Sequence, residues 1–190
     1  MQFIEPFYNW RDDYIAAEDE FSPFYGTEYS EFVFDKKLYN FLLHPQWDDF
    51  GSDTLYLKIL YADYDIGYTI IEFIGEWNDA VNNDIMDLMR EVIDILIYSG
   101  IHKFILIGEN ILNFHGSDDS YYEEWFHDIE EGWIVGLNFR EHVIREFEDY
   151  GLDYYLNFGG IFDELDWRTF KPKSLFRFID GNIQKRLSID

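Results

Sequence analysis

YTIIEFIGEWNDAVNNDIMDLMREVIDILIYSGIHKFILIG, residues 68–108, decides the fold. Its opening, YTIIEFIG (68–75), is β-branched and aromatic, as a strand requires. Asn78 or Asp79 then caps a helix whose apolar residues Val81, Ile85, Leu88, Met89, Val92, Ile93 and Leu96 recur at three and four spacing, ending at Gly100. HKFILIG (102–108) is a short apolar run directly after that helix, the pattern of a strand buried on both faces of a parallel sheet. Strand, helix and strand in this order form a parallel crossover unit.

Reading outward, LYLKILYA (55–62) predicts an earlier strand with Leu55, Leu57, Ile59 and Tyr61 on one face, joined to the next by a hairpin through ADYDIG. Downstream, SYYEEWFHDIEEG predicts a helix stopping at Gly132, WIVGLNF a strand, REHVIREFEDYG a helix with Val143, Ile144 and Phe147 inward, and LDYYLNF a closing strand. The expected class is α/β: a mixed, mostly parallel sheet with crossover helices and an antiparallel hairpin at its start.

The flanks differ in character. Residues 1–54 carry Phe3, Phe7, Trp10, Tyr14, Phe24, Tyr29 and further rings among Pro6, Pro23, Gly26, Pro45 and Gly51, with KKLYNFLL (36–43) reading as one short helix. They are expected to wrap an open surface of the domain at 55–166, because an unstructured chain would have no use for so many rings. Residues 167–190 form a basic tail with Leu175, Ile179, Ile183 and Leu187 at helical spacing and Gly181 as a break. The formal net charge is −25, and from Arg168 to Asp190 six Lys or Arg face two Asp, so the rest of the chain holds 8 basic and 37 acidic residues, a net of −29. Such a tail either docks on the acidic body, offsetting its self-repulsion, or binds a partner.

With no cysteine in the 190 residues, disulfide scaffolds, thiolate metal sites and cysteine nucleophiles are excluded. Neither a signal peptide nor a run of 18 apolar residues is readable, so a cytoplasmic protein is expected. The acidity opposes direct contact with nucleic acid or an anionic membrane and favours a basic protein partner. No signal for oligomeric state is present, and with no cofactor motif no cofactor is expected.

NFHGSDDSYY (113–122) turns from an apolar run into a helix. Ser117 reads as a helix cap, with Asp119 and Ser120 equally suited to that role. His115, Asp118, Asp119, Glu123, Glu124 and His127 are the densest set of possible metal ligands, with Glu123 and His127 one helical turn apart. No recognised ligand spacing accompanies them, so His115, Glu123 and His127 are weak candidates and no metal is expected. The carboxylate pairs Asp12 and Asp13, Asp48 and Asp49, and Glu130 and Glu131, with Asp163, Glu164 and Asp166, read as solvated charge. His44, His102 and His142 are isolated, and no nucleophile elbow or phosphate loop is present.

IIEFIGEWND, KFILIGENILNFHGSDDS and NFREHVIREFEDYGLDYYLNF occur in the order of the strands, loop and late helix of the STAS domain, and residues 55 to about 160 resemble that family of anti-sigma-factor antagonists and related sensor and transporter modules. The resemblance implies a partner switch with a kinase-like regulator and puts Ser117 at the phosphoacceptor position. Gly116 stands where the family has an aspartate, and Asp118 and Asp119 stand where it has small residues. Those two carboxylates are suited to supply permanently the charge that phosphorylation adds. The expectation is thus a non-enzymatic regulatory or protein-binding module acting through Ser117, Asp118, Asp119 and Ser120. The alternative is an acidic immunity, antitoxin or nucleic-acid-mimic inhibitor that occupies a basic protein.

Overall fold

The computed structural model describes residues 4–188, so Phe3 and the last two residues of the tail lie outside the described part. A small hairpin, β1 (Lys37–Leu38) and β2 (Phe41–Leu42), precedes the main sheet. It replaces the helix expected over 36–43: Tyr39 takes a left-handed φ of 54° and turns the chain, while Leu38 and Leu43 are buried beside Trp47.

The main sheet is formed by β3 (Leu55–Asp63), β4 (Tyr68–Asn78), β5 (Lys103–His115) and β6 (Trp133–Leu137), in that spatial order. β3 and β4 are antiparallel, and the pairs β4 with β5 and β5 with β6 are parallel, as the sequence pattern predicts. A register shift between Ile59 and Tyr61 moves Tyr61 off the face of Leu55, Leu57 and Ile59, correcting the strict alternation expected there. β5 runs on to His115, so residues 109–115, expected as the approach to a loop, are strand.

Between β4 and β5 the expected single helix is divided. α1 (Asp79–Asn82) and α2 (Asp84–Leu88) are separated by Asn83 at φ 55°, a five-residue π-helical stretch follows at Met89–Ile93, and α3 (Asp94–Tyr98) completes the connection. Asn78 caps α1 by accepting the Val81 N–H at 3.0 Å. That geometry leaves Val81 81% exposed, whereas Ile85, Leu88, Met89, Val92, Ile93 and Leu96 are buried as expected. α4 (Ser120–Asp128) joins β5 to β6, and α5 (Glu141–Asp149) follows β6 with Val143 and Phe147 buried and Ile144 half-buried.

The expected closing strand is absent among the described residues. Leu152–Tyr154 is a 3-10 turn, and only Asn157 bridges to Val135. Phe158 packs over Gly136 there, with no room for a side chain at that glycine. The tail is α6 (Pro172–Leu187), sixteen residues that continue unbroken through the exposed Gly181. Pro172 at its first turn is favourable, and an exposed mid-helix glycine weakens a helix by only about 1 kcal/mol.

Sequential strand order has a packing consequence. Parallel crossovers of one hand that step in one direction place their helices on one face of the sheet. α1 to α5 do cover one face, through a cluster containing Phe73, Trp77, Leu88, Leu106, Trp125, Val143 and Phe147. The opposite face, with Tyr68, Ile70, Ile105, Trp133 and Val135, is covered by Trp10, Phe162, Trp167, Leu175, Phe176, Ile179 and Ile183. The aromatic start and basic end of the chain thus supply the second layer. No described helix is long and apolar enough to cross a membrane.

Candidate functional site

The loop singled out by sequence leaves the end of β5 and enters α4. Asp118, rather than Ser117, bonds the start of the helix: its Oδ1 accepts the Ser120 N–H at 3.1 Å and also the Ser120 hydroxyl. These bonds hold the exposed Asp118 carboxyl below its usual range. Asp119 Oδ2 accepts the Tyr155 hydroxyl at 2.7 Å, tying the loop to the segment after α5. Ser117 is half-buried, and Ser120 and the two aspartates are exposed. Gly116 is buried against the Tyr150 ring, which a Cβ at this position would overlap, so an aspartate there would displace that ring.

The weak metal candidates do not converge. The described carboxylates that do are Asp94, Glu124 and Asp128, whose ligand atoms lie within 4.8 Å of one another. Arg90 already serves that group, bonding Asp94 at 2.8 Å and Glu124 at 2.6 and 2.9 Å. His127 is exposed beside Asp128, and His115 is exposed at the strand end.

Sequence reasoning missed a charged row on the second face of the sheet. Lys58 and Glu72 are register partners on β3 and β4, both nearly inaccessible at 7% and 1% exposure. Lys58 Nζ meets Asp48 Oδ2 at 3.1 Å and lies 3.9 Å from the centre of the Tyr29 ring, whose hydroxyl donates to the other Asp48 oxygen. Asp48 is therefore buried, correcting its reading as solvated charge. Burial pushes its carboxyl up and the Lys58 ammonium down, and their mutual attraction opposes both shifts. Glu72 instead accepts the Phe7 backbone N–H at 2.8 Å, and burial pushes its carboxyl up to about 7. Next in the row, Glu109 pairs with Arg168, which sits 4.4 Å over the Trp167 ring. The available signal was a lysine and a glutamate in the middle of apolar strands, LYLKILYA and TIIEFIG.

A second buried carboxylate group lies where β4 meets the helices. Asp79 accepts from Trp77 Nε1 at 2.9 Å, Ile85 N at 2.9 Å and the Tyr122 hydroxyl at 2.6 Å. Burial outweighs these three bonds and raises its carboxyl to about 7. Burial also raises neighbouring Asp84, which accepts the Asn78 N–H at 2.7 Å.

Both Glu72 and Asp79 favour protonation more in the folded than in the unfolded chain, so their contribution to stability is full below about pH 4 and is lost as pH rises through about 7. A Glu72→Gln, Asp79→Asn variant is expected to lose less melting temperature than wild type between about pH 5 and pH 8. Equal losses in thermal melts of the two proteins would show that neither carboxyl is shifted.

A cleft of about 690 Å³ lies beside the β6 edge, between α5, residues 153–164 and the end of α6. Phe139, Ile144, Leu156 and Phe158 give it apolar walls, and Glu141, Glu148, Asp153, Asp163 and Glu164 give it acidic ones. Its two cations are engaged: Arg145 by Glu141, and Arg186 by the carbonyls of Phe158 at 2.9 Å and Gly159 at 2.6 Å. Asp163 also accepts the Gly159 N–H at 3.0 Å, and Glu148, Asp153 and Glu164 are exposed. No protein-family model matches the chain, and no curated protein sequence matches it.

Proposed function

We propose that the chain is a non-enzymatic protein-binding module of STAS-like type whose acidic body engages a basic protein partner. The cleft beside α5 carries this reading, because apolar walls under a rim of carboxylates suit a basic, partly apolar segment of another protein. The net charge of −25 adds long-range attraction for such a partner. Support for the STAS-like element comes from the order of hairpin, helical connection, strand, loop and helix, with Ser117 at a strand end. The buried charged groups near Asp48 and Asp79 have partners within the fold, so neither presents an open acid and base pair.

Affinity capture from cell extract at low salt, with mass-spectrometric identification, tests the cleft. Wild type is expected to retain a basic protein that a Glu148→Gln, Asp153→Asn, Glu164→Gln variant loses. The same proteins held by both would reject the cleft as the contact.

The loop at Ser117 supports a second component of the same reading, a regulatory contact that is permanently charged. Asp118 already places a carboxylate on the first helical N–H, where a phosphate on Ser117 would bring a like charge. An Asp118→Asn, Asp119→Asn variant is expected to bind the captured partner at least about threefold more weakly if each exposed charge contributes a few tenths of a kcal/mol or more. Unchanged affinity in titration calorimetry would remove the loop from the interface.

A further inference from the structure

Beneath the N-terminal aromatic segment, a cavity of about 150 Å³ lies against β3. Its walls include the rings of Phe7, Trp10, Tyr14 and Tyr29, with Gln46 and Lys58 as polar groups. Lys58 is fixed there: its side chain is 9% exposed, its ammonium donates to Asp48 at 3.1 Å, and the Tyr29 ring flanks it at 3.9 Å. An ammonium carries three N–H donors, and among the described residues Asp48 is the hydrogen-bond acceptor for this one. The cavity thus combines aromatic walls with a desolvated donor whose charge is balanced by its own carboxylate. Arg11, at the exposed rim, is occupied by Glu5 at 3.1 Å.

We propose that this cavity is a binding site for a small uncharged aromatic or heteroaromatic ring carrying one carbonyl or amide acceptor. Size sets the ring count: an apolar cavity of about 150 Å³ takes a single benzene-sized ring. Phe7, Trp10, Tyr14 and Tyr29 favour a flat apolar body through ring contacts. The acceptor meets the free N–H capacity of Lys58, and its neutrality follows from the Lys58 and Asp48 pair, which leaves no uncompensated charge for an ion. A cationic ligand would face the ammonium directly. This site is separate from the acidic cleft, so it stands or falls independently of the protein partner.

The test is a titration of the full chain with benzamide, toluene and benzylamine, following the Trp10 indole and neighbouring amide signals by NMR. Benzamide is expected to bind about tenfold or more tightly than toluene, as a hydrogen bond to a charged donor implies, and benzylamine to bind weakest. In Lys58→Met the preference for benzamide over toluene is expected to vanish. Gln46→Phe fills the cavity while leaving Lys58 and Asp48 in place, and is expected to abolish both binding events. Unperturbed Trp10 signals with all three probes would overturn the proposal. So would equal affinity for benzamide and toluene in wild type, or full benzamide binding by Gln46→Phe. Where Lys58→Met does not fold, the wild-type preference and Gln46→Phe decide.

Discussion

Replacing Asp48 by alanine is expected to lower unfolding free energy by about 3–5 kcal/mol, because it strands the Lys58 ammonium in a site where it has no other described acceptor. The Tyr29 hydroxyl loses its acceptor in the same substitution. The loss belongs to the uncompensated charge rather than to attraction between the two ions, since desolvating both offsets most of that attraction. A double variant, Asp48→Leu with Lys58→Met, is therefore expected to recover most of the stability lost by Asp48→Ala. Urea unfolding of the three proteins measures this. A double variant as unstable as the single one would show that shape at this site, not charge, dominates.

Ending the chain before Pro172 is expected to leave no soluble, cooperatively folding protein. Leu175, Phe176, Ile179 and Ile183 are buried against the second sheet face, and Phe176 stacks on Tyr68 with ring centres 4.1 Å apart. Fully burying one such side chain contributes roughly 1.5–3 kcal/mol, so losing four approaches or exceeds the 5–15 kcal/mol stability of an ordinary domain. Lys103 and Trp133 also lose Asp180, to which each donates at 3.0 Å. Circular dichroism and size-exclusion chromatography give the readout. A shortened chain that melts cooperatively as a soluble monomer would make the tail an accessory available to partners.

The crossover pattern was legible because period and length agree over residues 68–108: apolar positions of the helical stretch are buried at Ile85, Leu88, Val92 and Leu96, and the strand cores at Ile70 and Ile105. Divisions within that stretch were not legible. Asn83 adopts its left-handed turn where the Asp84 carboxylate accepts the Asn78 N–H and the Asp79 carboxylate accepts the Ile85 N–H, a tertiary arrangement with little local sequence signal. LDYYLNF has strand composition, but the turn at Leu152–Tyr154 buries Leu152 and Leu156 with the helices instead of pairing along β6. Gly181 failed as a break because α6 takes its stability from the buried stripe on its other side.

The loop at Ser117 was visible as serine and aspartate before a helix, although the residue that bonds the helix start is Asp118. The acidic cleft was not visible, because its walls come from α5, the turn segment 153–164 and Arg186, brought together by folding. The Lys58 row was not legible because neither Lys58 nor Glu72 finds its partner within its own strand: Asp48 and the Phe7 N–H come from the N-terminal segment. Asp48 lies outside the strands and reaches Lys58 only through the pairing of its backbone with Leu57.

The most direct measurement of the functional account is the affinity of the captured partner for wild type and for the Glu148→Gln, Asp153→Asn, Glu164→Gln variant at low and high salt. Recognition through the acidic cleft predicts tight binding at low salt, a steep fall as ionic strength rises, and a weaker, flatter response in the variant. Identical, salt-insensitive affinities for the two proteins would contradict recognition through the acidic cleft.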